Sequence, residues 1–214
     1  MSISKKLFKG AFWNAISQFG SQGINFVILV ILARVLEPRD FGLVGMVTVF
    51  TAFLGYFSEF GLTPSLVYKK DADTLDYQTV FWSTVLFAVA TYLVVFAAAP
   101  FIARFYGSPE LTAIVKVLFL TFLTSPLGFI PETIERKNLR YSRIAFSDLL
   151  ALMGAGLVSV TLALKGYGVW SLVWFEVSRV FLRSFSLIFI TAWHPRFMFS
   201  LTRFKPLFGN GVHF

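Results

Sequence analysis

The sequence lacks cysteine, contains only two histidines, and has charged residues at only 14% of its 214 positions. Without cysteine, the chain can form neither a disulfide framework nor a thiolate metal site. The low charge excludes an ordinary soluble domain of this length. Apolar residues are abundant instead: 57% of the chain is hydrophobic, and 27 residues are Phe. This composition indicates a polytopic membrane protein.

Six apolar segments are long enough to cross the hydrocarbon core of a bilayer as helices. We therefore expect an all-α bundle with six transmembrane spans, at about 11–32, 41–62, 79–101, 111–130, 144–164 and 167–191. Residues 1–10 carry three lysines between apolar residues and are expected to form a cytoplasmic amphipathic lead-in to the 11–192 bundle. Pro126 is expected to bend the fourth span. Lys165 and Gly166 leave only a tight hairpin, so spans five and six should be antiparallel neighbours.

Basic residues are distributed unequally between the two sides of the predicted membrane. Of the 19 Lys and Arg residues, 12 fall on the side of the N-terminus, four on the other side and three inside spans. Because cytoplasmic loops are enriched in Lys and Arg, this bias predicts a cytoplasmic N-terminus and a cytoplasmic tail at 193–214. The bias also explains the net charge of +8 without nucleic acid, which we do not expect as a partner.

The sixth span carries three charged residues, Glu176, Arg179 and Arg183, within about 60° of one another on a helical wheel. A guanidinium that faces lipid near mid-membrane costs at least ~2.5 kcal/mol. The charged stripe should therefore face a protein interior or a watery cavity. Two simpler explanations stay open: Glu176 could neutralise Arg179 in a buried pair, and Arg183 could snorkel toward the headgroups.

The first span has a polar stripe that covers about 80° of the helix surface. Lipid disfavours such a face, so it should look inward, either as hydrogen-bonding contacts between helices or as the lining of a cavity. The stripe consists of Asn14, Gln18, Gln22 and Asn25, with Ser17 and Ser21 beside it.

Glu59 and Asp148 lie near the cytoplasmic ends of spans two and five. Pairing with a nearby Arg140, Arg143 or Lys69 would explain them. Together with Glu176 they are also candidates for proton coupling. We find no nucleophile motif and no metal-ligand spacing, so a membrane-embedded glycan-modifying enzyme is a weaker alternative, and no cofactor or metal is expected.

Four segments taken together resemble the polysaccharide-exporter branch of the multidrug/oligosaccharidyl-lipid/polysaccharide flippase superfamily, most closely its lipopolysaccharide and colanic-acid type exporters. They are LARVLEPRDFGLVGM (32–46), SEFGLTPSLVYKKD (58–71), PETIERKNLRYSRIA (131–145) and GYGVWSLVW (166–174). Members of this family have two six-helix lobes that face each other across a central cavity. This chain resembles the N-terminal lobe only, so 193–214 is expected to lead toward a second six-helix lobe that is missing from it.

The resemblance implies export of a polyprenyl-diphosphate-linked oligosaccharide across the bacterial inner membrane by alternating access of the two lobes. Arginine supplies paired donors to phosphate oxygens at any physiological pH. Arg179 and Arg183 are therefore candidates for the diphosphate, and the four amides of the first span are candidates for sugar hydroxyls. The alternative is a truncated, non-transporting scaffold subunit of a polysaccharide export machine.

Overall fold

The computed structural model describes residues 3–58, 66 and 71–204, and the side chains of 19–55, 66 and 71–204. The described residues form an all-α bundle, as predicted. Its helices are α1 (Ile3–Val35), α2 (Pro38–Ser58), α3 (Thr74–Phe105), α4 (Leu111–Leu118), α5 (Leu120–Lys137), α6 (Tyr141–Leu164) and α7 (Val169–Thr191).

Three helical stretches of the described chain are long and apolar enough to cross a membrane: Thr74–Phe105, Leu111–Lys137 and Tyr141–Leu164. A shorter apolar helical stretch covers Phe19–Val35. These helices support a multi-pass membrane protein, while the six spans and their boundaries stay a prediction. The α1 helix runs without interruption from Ile3, so the residues of the predicted lead-in continue directly into the helix of the first span.

The predicted fourth span is divided between α4 and α5, which are separated at Phe119. The α5 helix continues through Pro126 and Pro131 to Lys137, whereas we expected a loop from residue 131. Each proline removes one backbone N–H, but the turns on either side keep their hydrogen bonds, and the interruption lies at Phe119 rather than at a proline. As a result, Glu132 and Arg136 lie on a helix instead of in a loop.

The tight hairpin between α6 and α7 is present and makes these helices antiparallel neighbours. Gly166 and Gly168 adopt positive φ values of 80° and 53°, which glycine tolerates without a steric cost. Near the hairpin, Ser159 Oγ donates a 2.8 Å hydrogen bond to Ser171 O. Farther along, Leu182 of α7 lies over Gly154 of α6, where a Cβ would stand only 2.6 Å from the Leu182 side chain.

The main apolar core draws on all seven helices and is built around fully buried residues such as Leu32, Val47, Ile114 and Val173.

The two ends of the bundle differ in the elements that they bring together. At the hairpin end, the Arg39 guanidinium pairs with Glu110 at 3.0 Å. The opposite end contains the start of α3, the end of α5, the start of α6 and the end of α7, and the positive-inside bias predicts that this end is cytoplasmic.

Candidate functional site

A cavity of about 640 Å³ lies between α1, α5, α6 and α7. Its wall combines polar and ionised side chains with a few small or apolar ones. The lining residues are Ser21, Gln22, Asn25, Arg136, Asp148, Ala151, Leu152, Arg179, Val180 and Arg183. The structure therefore brings Gln22 and Asn25 of the polar stripe and Arg179 and Arg183 of the charged stripe to the same cavity.

Arg183 is held in place by two carboxylates. Its Nε donates to Asp148 Oδ1 at 2.6 Å, and its Nη1 lies 2.9 Å from Glu132 Oε2. The other oxygen of Glu132 accepts from Arg136 Nε at 2.9 Å and from Arg136 Nη2 at 2.6 Å. Glu132 thus bridges two arginines, and its side chain is only 13% exposed. From the sequence we had considered Arg140 or Arg143 as the partner of Asp148; in the structure its partner is Arg183.

Arg179 is less constrained. Its Nη2 donates to Glu176 Oε2 at 2.7 Å, one helical turn earlier, which is the local pair that we considered from the sequence. The guanidinium carbon also lies 5.9 Å from the centre of the Phe175 ring, within reach of a cation–π interaction. The Arg179 side chain is 44% exposed, against 28% for Arg183. Arg179 is therefore the more accessible of the two cations predicted on this helix.

The contribution of α1 comes from Ser21, Gln22 and Asn25, which all line the cavity. Ser21 Oγ is buried and has no hydrogen-bond partner among the described residues, so water or a ligand could satisfy it. Asn14 and Gln18 belong to the same helix, but their side chains lie outside the described part of the chain. Glu59, the remaining coupling candidate, is also outside it.

Two lining or bridging residues were missed by the sequence analysis: Glu132 and Arg136. The prediction of a loop after Pro131 removed both from consideration. Their i, i+4 spacing, with the acid on the N-terminal side, is the arrangement that favours an ion pair on a helix. That spacing could have indicated the pair from the sequence, but only if a helix had been predicted to continue through Pro131.

A second, smaller cavity of about 200 Å³ meets the first one at Val180, which lines both. Four hydroxyl groups line it, from Thr51, Thr84, Thr121 and Ser125. Each donates to a backbone carbonyl three or four residues earlier in the chain, as in the 2.6 Å bond from Ser125 Oγ to Thr121 O. Only hydroxyl lone pairs remain to accept hydrogen bonds from the cavity contents.

The all-α membrane bundle agrees with the comparisons with known proteins. The family model described as "Polysaccharide biosynthesis protein" matches residues 31–214. The chain belongs to this family. The family and the relatives below place it in the polysaccharide-exporter branch of the flippase superfamily that its sequence resembles. No solved structure matches it significantly.

Three curated relatives show how the family extends beyond this chain. The succinoglycan biosynthesis transport protein ExoT of Rhizobium meliloti is 28% identical over 95% of this chain and 41% of its own length. The lipopolysaccharide biosynthesis protein WzxC of Escherichia coli is 28% identical over 72% of this chain and 31% of its own length. The teichuronic acid biosynthesis protein TuaB of Bacillus subtilis is 26% identical over 99% and 44%. The chain spans less than half the length of each relative.

Proposed function

We propose that this chain forms one lobe of an exporter that moves polyprenyl-diphosphate-linked sugar units across the bacterial inner membrane, by alternating access with a second six-helix lobe and with the N-terminus in the cytoplasm. The observation that carries the proposal is the 640 Å³ cavity, where Arg136, Arg179 and Arg183 meet the amides Gln22 and Asn25. Membership of the family, and the transport protein among the relatives, support it further.

The chemistry of the substrate explains why such a cavity is needed. A lipid diphosphate combines an apolar tail with an anionic headgroup, and moving an unpaired phosphate through hydrocarbon is prohibitively costly. Guanidinium groups in a polar cavity replace the water that the phosphate loses, because they donate paired, charge-assisted hydrogen bonds. Arg179 is the first ligand in this proposal, since it is half-exposed and is joined to Glu176 through one of its nitrogens.

Charge balance in the cavity suggests how binding and release are linked. Each of the three arginines pairs with a carboxylate, from Glu132, Asp148 or Glu176. An incoming diphosphate therefore competes with these carboxylates for guanidinium donors. Protonation of Asp148 or Glu176 would free arginine donors for phosphate, so both remain candidates for proton coupling. For Glu59 the same role stays a prediction from the sequence.

The amide side chains supply a different kind of contact. Gln22 and Asn25 each carry a donor and an acceptor, which match the hydroxyl groups of a sugar. Asn14 and Gln18 extend the same stripe toward the N-terminus of α1, and we propose that they contact the glycan as well. In this arrangement the arginines bind the diphosphate and α1 provides the polar surface for the sugar.

Binding of farnesyl diphosphate to the chain in lipid nanodiscs tests the proposal, with uncharged farnesol as the comparison ligand. We expect Arg179→Gln to weaken binding of the diphosphate by about tenfold or more, because hydrogen bonds to charged groups contribute roughly 1.5–3 kcal/mol. The matched control is Arg39→Gln, which removes an arginine that also pairs with one glutamate but lies at the hairpin end. Equal binding by both variants would overturn the assignment of Arg179.

The same assay separates the exporter from a scaffold subunit. A scaffold that only holds other components of an export machine has no reason to prefer farnesyl diphosphate to farnesol. If the unmodified chain binds both ligands equally, the cavity is not an anion site and the scaffold becomes the better explanation.

A further inference from the structure

The segment that follows α7 turns back over the start of α3 instead of leaving the bundle. We call residues 192–200 the strap. Ala192, at φ 51° and ψ 28°, adopts the left-handed conformation that commonly ends a helix, and it turns the chain away from the axis of α7. The strap then runs without regular secondary structure until a helical turn at 201–204.

Polar side chains of α3 satisfy the backbone of the strap. Gln78 uses both ends of its amide: Nε2 donates to His194 O at 3.1 Å, and Oε1 accepts from Arg196 N at 2.8 Å. One turn along, Trp82 Nε1 donates to Arg196 O at 2.8 Å. Thr79 Oγ1 accepts from Ser200 N at 3.3 Å. We call the two hydrogen bonds of Gln78 to the strap the Gln78 clamp; the Gln78 side chain is only 1% exposed, so the clamp is shielded from solvent.

Large apolar side chains project from the outer side of the strap, next to the exposed His194, Pro195 and Arg196. The Phe197 side chain is 92% exposed, and its ring stacks on Trp82 with 4.7 Å between the ring centres. Met198 and Phe199 follow it and are also exposed, as is Leu201 just beyond the strap. Four large apolar side chains therefore project outward from a short stretch of chain at one end of a membrane bundle.

We propose that the strap lies in the interface of the bilayer, with Phe197, Met198 and Phe199 inserted between the headgroups and the acyl chains. Irregular backbone is excluded from the hydrocarbon core but is tolerated in the interface, where water and headgroups reach it, and here Gln78 and Trp82 also satisfy His194 O and the N–H and C=O of Arg196. Tryptophan is enriched at this depth, and both Trp82 and Trp193 belong to the contact, through Phe197 and through the Trp193–Phe81 ring pair.

The location of the strap favours lipid over other occupants. The strap follows the end of α7 and packs on the start of α3, so it lies at the end of the bundle where a spanning helix would emerge from the hydrocarbon core. Arg203, just beyond it, is drawn inward to Asp73 and Asp76 at 3.3 and 3.4 Å, which leaves the apolar side chains facing outward. We had expected residues 193–214 to form a cytoplasmic linker. The proposal moves the strap into the membrane interface and does not depend on the transport function.

Site-directed fluorescence tests the depth of the strap. Because the chain lacks cysteine, a Phe197→Cys variant can carry a single environment-sensitive label in nanodiscs of phosphatidylethanolamine and phosphatidylglycerol. Leu93→Cys, at an exposed position in the middle of α3, is the lipid control, and Lys165→Cys in the hairpin is the water control. Nitroxide lipids labelled near the headgroup should quench the label at 197 more than lipids labelled deep in the acyl chain.

Aqueous iodide should quench the label at 197 roughly threefold less than the label at 165, because an interfacial side chain is buried below the headgroups. Iodide quenching equal to that at 165 would overturn the proposal in favour of an exposed linker. Protection from both iodide and the lipid quenchers would also overturn it, because another part of the protein or a partner would then cover the strap.

A second variant tests the clamp. Gln78→Leu removes the two hydrogen bonds of the Gln78 clamp and replaces the amide by an apolar side chain of similar size. It should raise iodide quenching at 197 by about twofold or more as the strap leaves the interface. Thr84→Val, also buried on α3 but bonded only to carbonyls of its own helix, should leave quenching unchanged. Unchanged quenching in Gln78→Leu, with the Leu93 label still in lipid, would show that the clamp does not hold the strap.

Discussion

Replacing Glu132 by Gln removes the negative charge that joins Arg136 to Arg183 while keeping the shape of the side chain. In the structure, Glu132 Oε1 accepts two hydrogen bonds from Arg136, at 2.6 and 2.9 Å, and Oε2 lies 2.9 Å from Arg183 Nη1. A glutamine can accept at only one of these positions, and its NH₂ group faces a guanidinium at the other. We therefore expect the variant to be less stable and its arginines to be freer.

The size of the effect depends on how much water reaches each partner. Breaking a buried ion pair by removing one charge costs about 3–5 kcal/mol. Glu132 is only 13% exposed, but Arg136 is 52% exposed and Arg183 is 28% exposed, so water compensates part of the loss. We expect the free energy of unfolding to fall by about 1.5–3 kcal/mol. For a chain of this length, the melting temperature should fall by roughly 3–10 °C.

Thermal unfolding in nanodiscs and binding of farnesyl diphosphate measure the two consequences together. Glu110→Gln is the control for an exposed pair: Glu110 pairs with a single arginine and is 54% exposed, so loss of its charge should cost less than about 1 kcal/mol. The proposed function further predicts that Glu132→Gln binds the diphosphate more tightly than the unmodified chain. Equal melting temperatures for the two variants, or weaker binding by Glu132→Gln, would refute this reasoning.

Two further substitutions test how α7 packs and how it ends. Gly128→Ala should lower the free energy of unfolding by about 1–3 kcal/mol, because the new Cβ would lie 2.9 Å from Ser184 Oγ and 3.3 Å from Ser184 Cα. Gly45→Ala is the control: a Cβ there meets nothing within 4 Å, so this variant should be neutral or slightly stabilising in the same melting assay. Ala192→Gly should raise the free energy of unfolding by about 0.5–1 kcal/mol, because glycine adopts the left-handed conformation at the end of α7 without strain, and a lower melting temperature would contradict this explanation.

The polar faces of α1 and α7 could be predicted from the sequence because they depend on the helical period alone. Gln22, Asn25, Arg179 and Arg183 repeat along one side of their own helices, and lipid disfavours such sides wherever they lie. The sequence does not say which helices face each other. The structure adds that information: these four residues line one cavity, and Arg183 reaches Asp148 on α6.

The role of Glu132 and the position of the strap depend on contacts between residues far apart in sequence. Glu132 was overlooked because Pro131 suggested a loop, and its role arises only where α5 packs against α7. The strap was also not predicted, since the amide of Gln78 bonds to the backbone at His194 and Arg196, more than a hundred positions later. A glutamine in an apolar helix indicates that its amide has a hydrogen-bonding partner. Here that partner is the backbone of an irregular segment, which has no sequence pattern that would identify it.

The central claim is that the cavity between α1, α5, α6 and α7 contains water and is not a dry helix contact. A single cysteine at Gln22, in the otherwise cysteine-free chain, can be tested with a charged, membrane-impermeant thiol reagent in nanodiscs, where both faces of the membrane are accessible. The comparison is a cysteine at Leu157, which is 72% exposed on the outer side of α6 and should face lipid. The account predicts rapid modification at position 22 and none at 157. A cysteine at 22 that is as unreactive as one at 157 would contradict it.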